Sequence, residues 1–282
     1  LVEPKQLESV YLWSPGVKIN VQPGSWTHQN EWFGPVLGIM NAKDLEQAVD
    51  WQNSVPYGLT AGIQSLNEKE CEYWIENVEA GNLYVNRTTT GAVVDRHPFG
   101  GWKKSSFGPT AKTGGSHYVS MFREYQPVEN IESLKYEFKL TWEEIGNKSI
   151  KLGDTESERN FKRYVPYKSI LLVTEEDFSK DLESFIFWIS DLLNINIKII
   201  SQETLLGPDS NLDLSLFQKI RWTATSQEIP TQIFSSGATV DERGLSQNGK
   251  QELLCWVKEQ SISITNHRYG NIGSGPQPFN NW

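Results

Sequence analysis

The chain has 282 residues, 38% of them hydrophobic and 12% aromatic, which is enough apolar surface for one large or two ordinary globular domains. Its 26 basic residues stand against 35 acidic ones, and the formal charge of −9 has the wrong sign for a general binder of nucleic-acid phosphates. No run approaches the length of a membrane-spanning helix, "FIFWISDLLNINIKII" being broken by Asp191, Asn194 and Asn196, and "LVEPKQLESV" at the start has acids where a signal peptide has bases.

Two cysteines, Cys71 and Cys255, lie far apart and predict free thiols in a reducing, cytoplasmic setting. In chain order, "VLGIM" (36–40) predicts a buried strand. Asn41 stands as the N-cap of a helix in which Leu45, Ala48 and Val49 recur at helical spacing, and "GLTAGIQS" (58–65) returns as a strand. Asn67 with Glu70 forms a capping-box signature for a second helix; its stripe of Cys71, Trp74, Ile75 and Val78 is stopped by Gly81, and "NLYVN" (82–86) is the third strand. Strand, helix, strand, helix and strand with short connections wind right-handed into a mostly parallel sheet, whose ligands bind outside the carboxyl ends of the strands. The expected fold class is α/β.

Further along, the alternation in "HYVSMFREYQ" (117–126) predicts an edge or interface strand, and the charged stretch up to about Pro166 predicts an irregular connector. A second strand–helix–strand unit follows. It comprises "SILLV" (169–173), a helix carrying Phe178, Leu182, Phe185, Ile189 and Leu192, and "IKII" (197–200); "TQIF" (231–234) as a strand, a helix around "GKQELLCWVKEQ" (249–260) and "SISIT" (261–265) extend it. The tail "GSGPQPFNNW" is expected to be irregular. Three parts result: 1–126 as the first α/β part with its interface strand, 127–165 as connector, and 166–282 as a smaller α/β extension ending in a flap.

The stretch "TTTGAVVDRHPFGGWKKSSFG" (88–108) begins at a strand's carboxyl end and holds Gly91, Gly100, Gly101 and Gly108. Glycine costs about 0.5–1 kcal/mol relative to alanine in regular structure, so a run this rich predicts bare backbone approaching a ligand or a second stretch of chain. Lys103 and Lys104 fit either an anion or a solvated surface. Cys71, in an apolar stripe between Glu70 and Glu72, and Cys255, between Leu254 and Trp256, read as packing residues rather than nucleophiles. His28, His97, His117 and His267 lack metal-ligand spacing, so no metal is expected, and neither glycine-rich phosphate motif is present.

"EWFGPVLGI" (31–39), "YGLTAGIQS" (57–65), "AGNLYVNRTTTGAVV" (80–94) and "HPFGGWKKSSFG" (97–108) resemble, in order and spacing, the carboxyl-terminal catalytic part of the aldehyde dehydrogenase superfamily. "NRTTTGAVV" followed by "PFGGWKKSSFGPTAKTGG" most resembles the 1-pyrroline-5-carboxylate (glutamate semialdehyde) dehydrogenases. "LWSPGVKINVQPGSWTH" and "WVKEQSISITNHRYGN" are similar to the long bifunctional proline-utilisation proteins, while 130–245 matches only loosely.

The resemblance implies NAD as cofactor, with Glu31 accepting from the nicotinamide ribose hydroxyls and Phe33 walling the nicotinamide. It also implies that the Gly91 and Ala92 N–H groups hold the substrate's α-carboxylate while Phe99 packs on its aliphatic chain. The family's reaction begins with a cysteine thiolate assisted by an oxyanion-hole asparagine and a glutamate base, and none of these motifs occurs here. The chain therefore resembles part of a larger enzyme. Its implied partners are a small-molecule substrate and the remaining N-terminal part, with a homo-oligomer expected and a flavin-dependent proline dehydrogenase module left open. The alternative is a non-catalytic interaction or assembly module derived from such an enzyme.

Overall fold

A computed structural model describes residues 2–106, 111–124, 126–226, 228–265, 267–268 and 271–272. By packing, the chain divides into two units, Leu1–Pro56 with Lys69–Glu79, and Tyr57–Glu68 with Ala80–Trp282.

In the first unit, strands Gly16–Lys18 and Val36–Gly38 pair in parallel. Helix Leu45–Asn53 starts at Asp44 rather than at Asn41, because the Asp44 carboxylate accepts the Gln47 N–H at 2.8 Å. Helix Glu68–Asn77 buries Cys71, Trp74 and Ile75 as its periodicity predicts. It is tied to the preceding helix by Trp74 Nε1 donating to Gln52 Oε1 at 3.1 Å, and by Asn53, which donates to the Asn77 carbonyl and accepts from the Glu79 N–H.

The second unit holds two larger sheets. The first has five strands in the order Thr60–Ile63, Asn82–Val85, Val257–Thr265, Glu158–Pro166 and Ile150–Lys151. Strand Val257–Thr265 pairs in parallel with Asn82–Val85 and antiparallel with Glu158–Pro166. Residues 261–265 are thus interior to this five-stranded sheet and do not extend the strand–helix–strand unit that begins at Ser169. The second sheet has four parallel strands in the order Asn196–Ser201, Ser169–Thr174, Lys219–Trp222 and Thr239–Asp241.

Helix Lys180–Leu193 connects the first two strands in chain order, and its buried Phe185, Ile186 and Ile189 join Leu134, Phe138 and Trp256 in one apolar cluster. Leu134 and Phe138 come from helix Ile131–Ile145, inside the expected irregular connector; Asn130 caps that helix by accepting the Ser133 N–H at 2.9 Å. Two other expectations change type: Tyr118–Phe122 is a 3-10 helix instead of a strand, and Thr231–Phe234 is a short helix after Pro230. Gly108 and the tail 273–282 lie outside the described residues.

Candidate functional site

Glu31 and Phe33 lie in the first unit, just after helix Trp26–Gln29. Trp32 is braced edge-on by Trp26, with ring centroids 4.7 Å apart, so the residues on either side of it project from a fixed point. Phe33 has a φ of 47° and is 92% exposed. A bulky side chain in the left-handed region costs of order 1–3 kcal/mol, and such strain clusters where a side chain must be presented. Glu31 is exposed beside it.

Gly91, Ala92 and Phe99 belong to the second unit. Strand Asn82–Val85 ends at Asn86, whose φ of 58° turns the chain out of the sheet; its side chain accepts the Ser65 N–H and donates to the Ser65 carbonyl, both at 2.9 Å. The loop rises through Thr88–Thr90, all exposed, to Gly91 at φ 89°. It returns through a Val93–His97 backbone pair and a turn at Asp95, φ 60°. Phe99, half-buried, is fixed by a second backbone pair with Thr113. Among the described residues no hydrogen bond engages the Gly91 or Ala92 N–H, so the crest offers two adjacent unused donors. A Cβ at Gly91 would lie 3.3 Å from Arg87 Nη2, which places the guanidinium against the crest.

Gly81 and Gly101 serve close approach of chain to chain. A Cβ on Gly81 would overlap the Gly100 carbonyl oxygen, and one on Gly101 would overlap that of Ser105. Lys112, 3% exposed, fastens this crossing: its Nζ donates to the carbonyls of Gly81 (2.9 Å) and Gly100 (2.6 Å) and to Asn82 Oδ1 (2.8 Å). Burial pulls its ammonium down to about 7, against the opposing pull of Glu259. Below the loop, His97 packs on Tyr84 with ring centroids 4.8 Å apart, and burial, with help from Lys112 and Arg87, pushes the imidazole down to about 3.

Neither thiol is placed for chemistry. Cys71 and Cys255 are 2% and 3% exposed, and burial raises the Cys255 pKa. Among the described residues no group of three or more His, Cys, Asp or Glu could hold a metal ion, and no helix is long and apolar enough to cross a membrane. Lys103 and Lys104 line an open cavity of about 350 Å³ with Ser106, Phe234, Thr239 and Glu242. At the carboxyl ends of Ser169–Thr174 and Lys219–Trp222, where parallel sheets of this kind bind ligands, Glu175 accepts the N–H groups of Thr225 (2.6 Å) and Ser226 (3.0 Å). Those bonds hold its carboxyl below the usual range.

Sequence reasoning missed Arg87, Lys112 and Glu158. Arg87 and Lys112 sit inside the quoted glycine-rich motifs, so a basic residue beside glycines was the available signal; Glu158 lies in a charged stretch and carried none.

Residues 2–128 match the model described as Aldehyde dehydrogenase family. A 1-pyrroline-5-carboxylate dehydrogenase of Staphylococcus saprophyticus is 41% identical over 43% of this chain and 23% of its own length. The solved structure of Proline Utilization A (PutA) from Corynebacterium freiburgense is 34% identical with a TM-score of 0.78, covering 96% of this chain and 30% of that one. The α/β likeness thus runs through the extension as well as the first 128 residues. A solved 1-pyrroline-5-carboxylate dehydrogenase from Thermus with bound NAD is 40% identical over 43% of this chain and 23% of its own, with a TM-score of 0.40. The chain spans about a quarter of the length of the curated relatives it matches.

Proposed function

We propose that the chain is part of an NAD-dependent dehydrogenase that oxidises L-glutamate γ-semialdehyde, the open form of 1-pyrroline-5-carboxylate, to L-glutamate in proline catabolism. The observation that carries this is the crest of the loop: the Gly91 and Ala92 N–H groups are exposed, adjacent and without a partner among the described residues. Two such donors match a carboxylate, and a hydrogen bond to a charged acceptor contributes about 1.5–3 kcal/mol. The names of the relatives, and the family match over the segment that contains the loop, support the same substrate class.

In this reading the loop holds the α-carboxylate and Phe99 covers the aliphatic chain, so the aldehyde carbon is set at a fixed distance from its anchor. Glu31 is an exposed carboxylate able to accept from both ribose hydroxyls, and the strained, solvent-facing Phe33 ring offers an apolar wall; both fit a nicotinamide nucleotide. When bound, NAD supplies the acceptor for the hydride that leaves the substrate. The nucleophile and base come from the rest of the protein, together with the adenosine half of the cofactor site.

Burial of both thiols favours a second reading, in which the chain is a non-catalytic assembly module. The unused amides weigh against it. NADH formation by the intact protein with 1-pyrroline-5-carboxylate tests the choice: turnover supports the enzyme, and a folded, NAD-binding protein without turnover supports the module.

A further inference from the structure

One carboxylate reaches both ends of the loop that carries Gly91 and Ala92. Arg87 stands before the crest and Arg96 after it; Arg87 Nη1 donates to Glu158 Oε2 at 2.5 Å, and Arg96 Nε lies 3.1 Å from Glu158 Oε1. Glu158 opens strand Glu158–Pro166, beyond the segment 2–128 that matches the family model. Its side chain is 16% exposed, that of Arg87 17% and that of Arg96 35%.

The Arg87 guanidinium is held by further contacts. Nη1 also donates to Ser263 Oγ, Nη2 donates to the Thr90 carbonyl at 3.3 Å, and the group lies 5.4 Å over the Tyr84 ring. Asn160 Nδ2, donating to the Gly153 carbonyl at 2.9 Å and to Glu158 Oε1 at 3.3 Å, holds the carboxylate from its far side. Rotation of Glu158 away from either arginine would leave a mostly buried charge without its counter-ion.

We propose that Glu158 is a positioning residue for substrate recognition, tethering Arg87 and Arg96 so that the Gly91 and Ala92 amides converge on the carboxylate. The proposal rests on the anchor role of Gly91 and Ala92 given above. It assigns a residue outside the segment 2–128 a share in substrate affinity, although Glu158 itself touches no substrate. Without the tether, the two arginines repel one another and the limbs of the loop separate. The added positive charge acts in the opposite sense and would draw the carboxylate in, so the direction of the change decides between geometry and charge.

The test is made in the intact enzyme at saturating NAD, with glutamate semialdehyde and propanal as paired substrates. Glu158→Gln should raise KM for glutamate semialdehyde about tenfold with kcat within about twofold, the pattern of lost binding common to ground and transition states, and leave propanal oxidation within about twofold. Glu158→Asp, which restores the charge, should recover part of the loss. An unchanged or lowered KM, or equal losses on both substrates, overturns the proposal. Should Glu158→Gln fail to fold, Arg96→Gln leaves the Arg87 pair intact and should raise the same KM about threefold, selectively; no rise overturns the proposal. Ala92→Pro in the same series separates the two claims. If it is selective while Glu158→Gln is silent, only the tether fails; if it harms both substrates equally, the anchor reading fails.

Discussion

Lys112 Nζ donates to the Gly100 carbonyl at 2.6 Å. The same ammonium bonds the Gly81 carbonyl and Asn82 Oδ1, so its donors close the point where the glycine loop crosses the start of strand Asn82–Val85. Lys112→Met keeps the length and removes all three bonds. Each buried acceptor left unsatisfied costs about 1–3 kcal/mol, so the loss should be about 3 kcal/mol or more, read as a lower guanidinium midpoint. A loss under about 1 kcal/mol would show the cage to be dispensable.

Acid stability should depend on His97. Burial lowers its pKa from 6.5 to about 3 in the folded protein, so as pH falls below 6.5 the unfolded chain takes up a proton that the folded one does not. The stability present at neutral pH is then lost between 6.5 and 3, at up to about 1.4 kcal/mol per pH unit. Neither ring nitrogen has a partner in the described structure, so His97→Phe should be tolerated and should flatten the slope between pH 6 and 4. Parallel stability curves for the two proteins would contradict this.

The two helices and strands Thr60–Ile63 and Asn82–Val85 are legible in the sequence because apolar stripes and turn residues agree with one another, whereas the expected cap at Asn41 is Asp44, and Val36–Gly38, expected buried, is partly exposed and pairs with Gly16–Lys18. Strand Val257–Thr265 is not legible as an interior strand, because its middle is polar: Gln260, Ser261 and Ser263 are fully buried. Their partners lie far away in sequence, with Gln260 Nε2 donating to the Ala80 carbonyl and Ser261 Oγ to that of Pro98. Tyr118–Phe122 is too short for alternation to be told from helical spacing, and Thr231–Phe234 has strand-type residues but follows a proline that favours helix initiation. Helix Ile131–Ile145 carries Ile131, Leu134, Phe138 and Ile145 at helical spacing inside a stretch whose charged composition predicts a connector.

The site was legible only in part. Glycine density marks close approach of backbone, which the structure places at Gly81, Gly100 and Gly101, yet density alone does not separate those positions from Gly91, where the role comes from the resemblance. Glu158 lies 71 residues from Arg87, and no local pattern joins them.

The 282-residue chain alone should oxidise no aldehyde with NAD, since both thiols are buried in packing positions. Cys71→Ser should alter nothing but stability. Turnover of glutamate semialdehyde by the isolated chain, abolished by Cys71→Ser, would overturn the assignment of the nucleophile to the rest of the protein.

The most direct test of the anchor is Ala92→Pro in the intact enzyme, because Ala92 contributes an N–H and no side-chain group. Losing one hydrogen bond to a charged group, worth about 1.5–3 kcal/mol, predicts roughly a 10- to 150-fold fall in kcat/KM for glutamate semialdehyde. Propanal has no carboxylate and should lose less than about threefold. Proline also restricts the preceding Gly91 and can distort the crest, so the ratio between the two substrates carries the result. A fall confined to glutamate semialdehyde is the outcome predicted; equal falls for both would contradict the account and reduce the loop to a structural element.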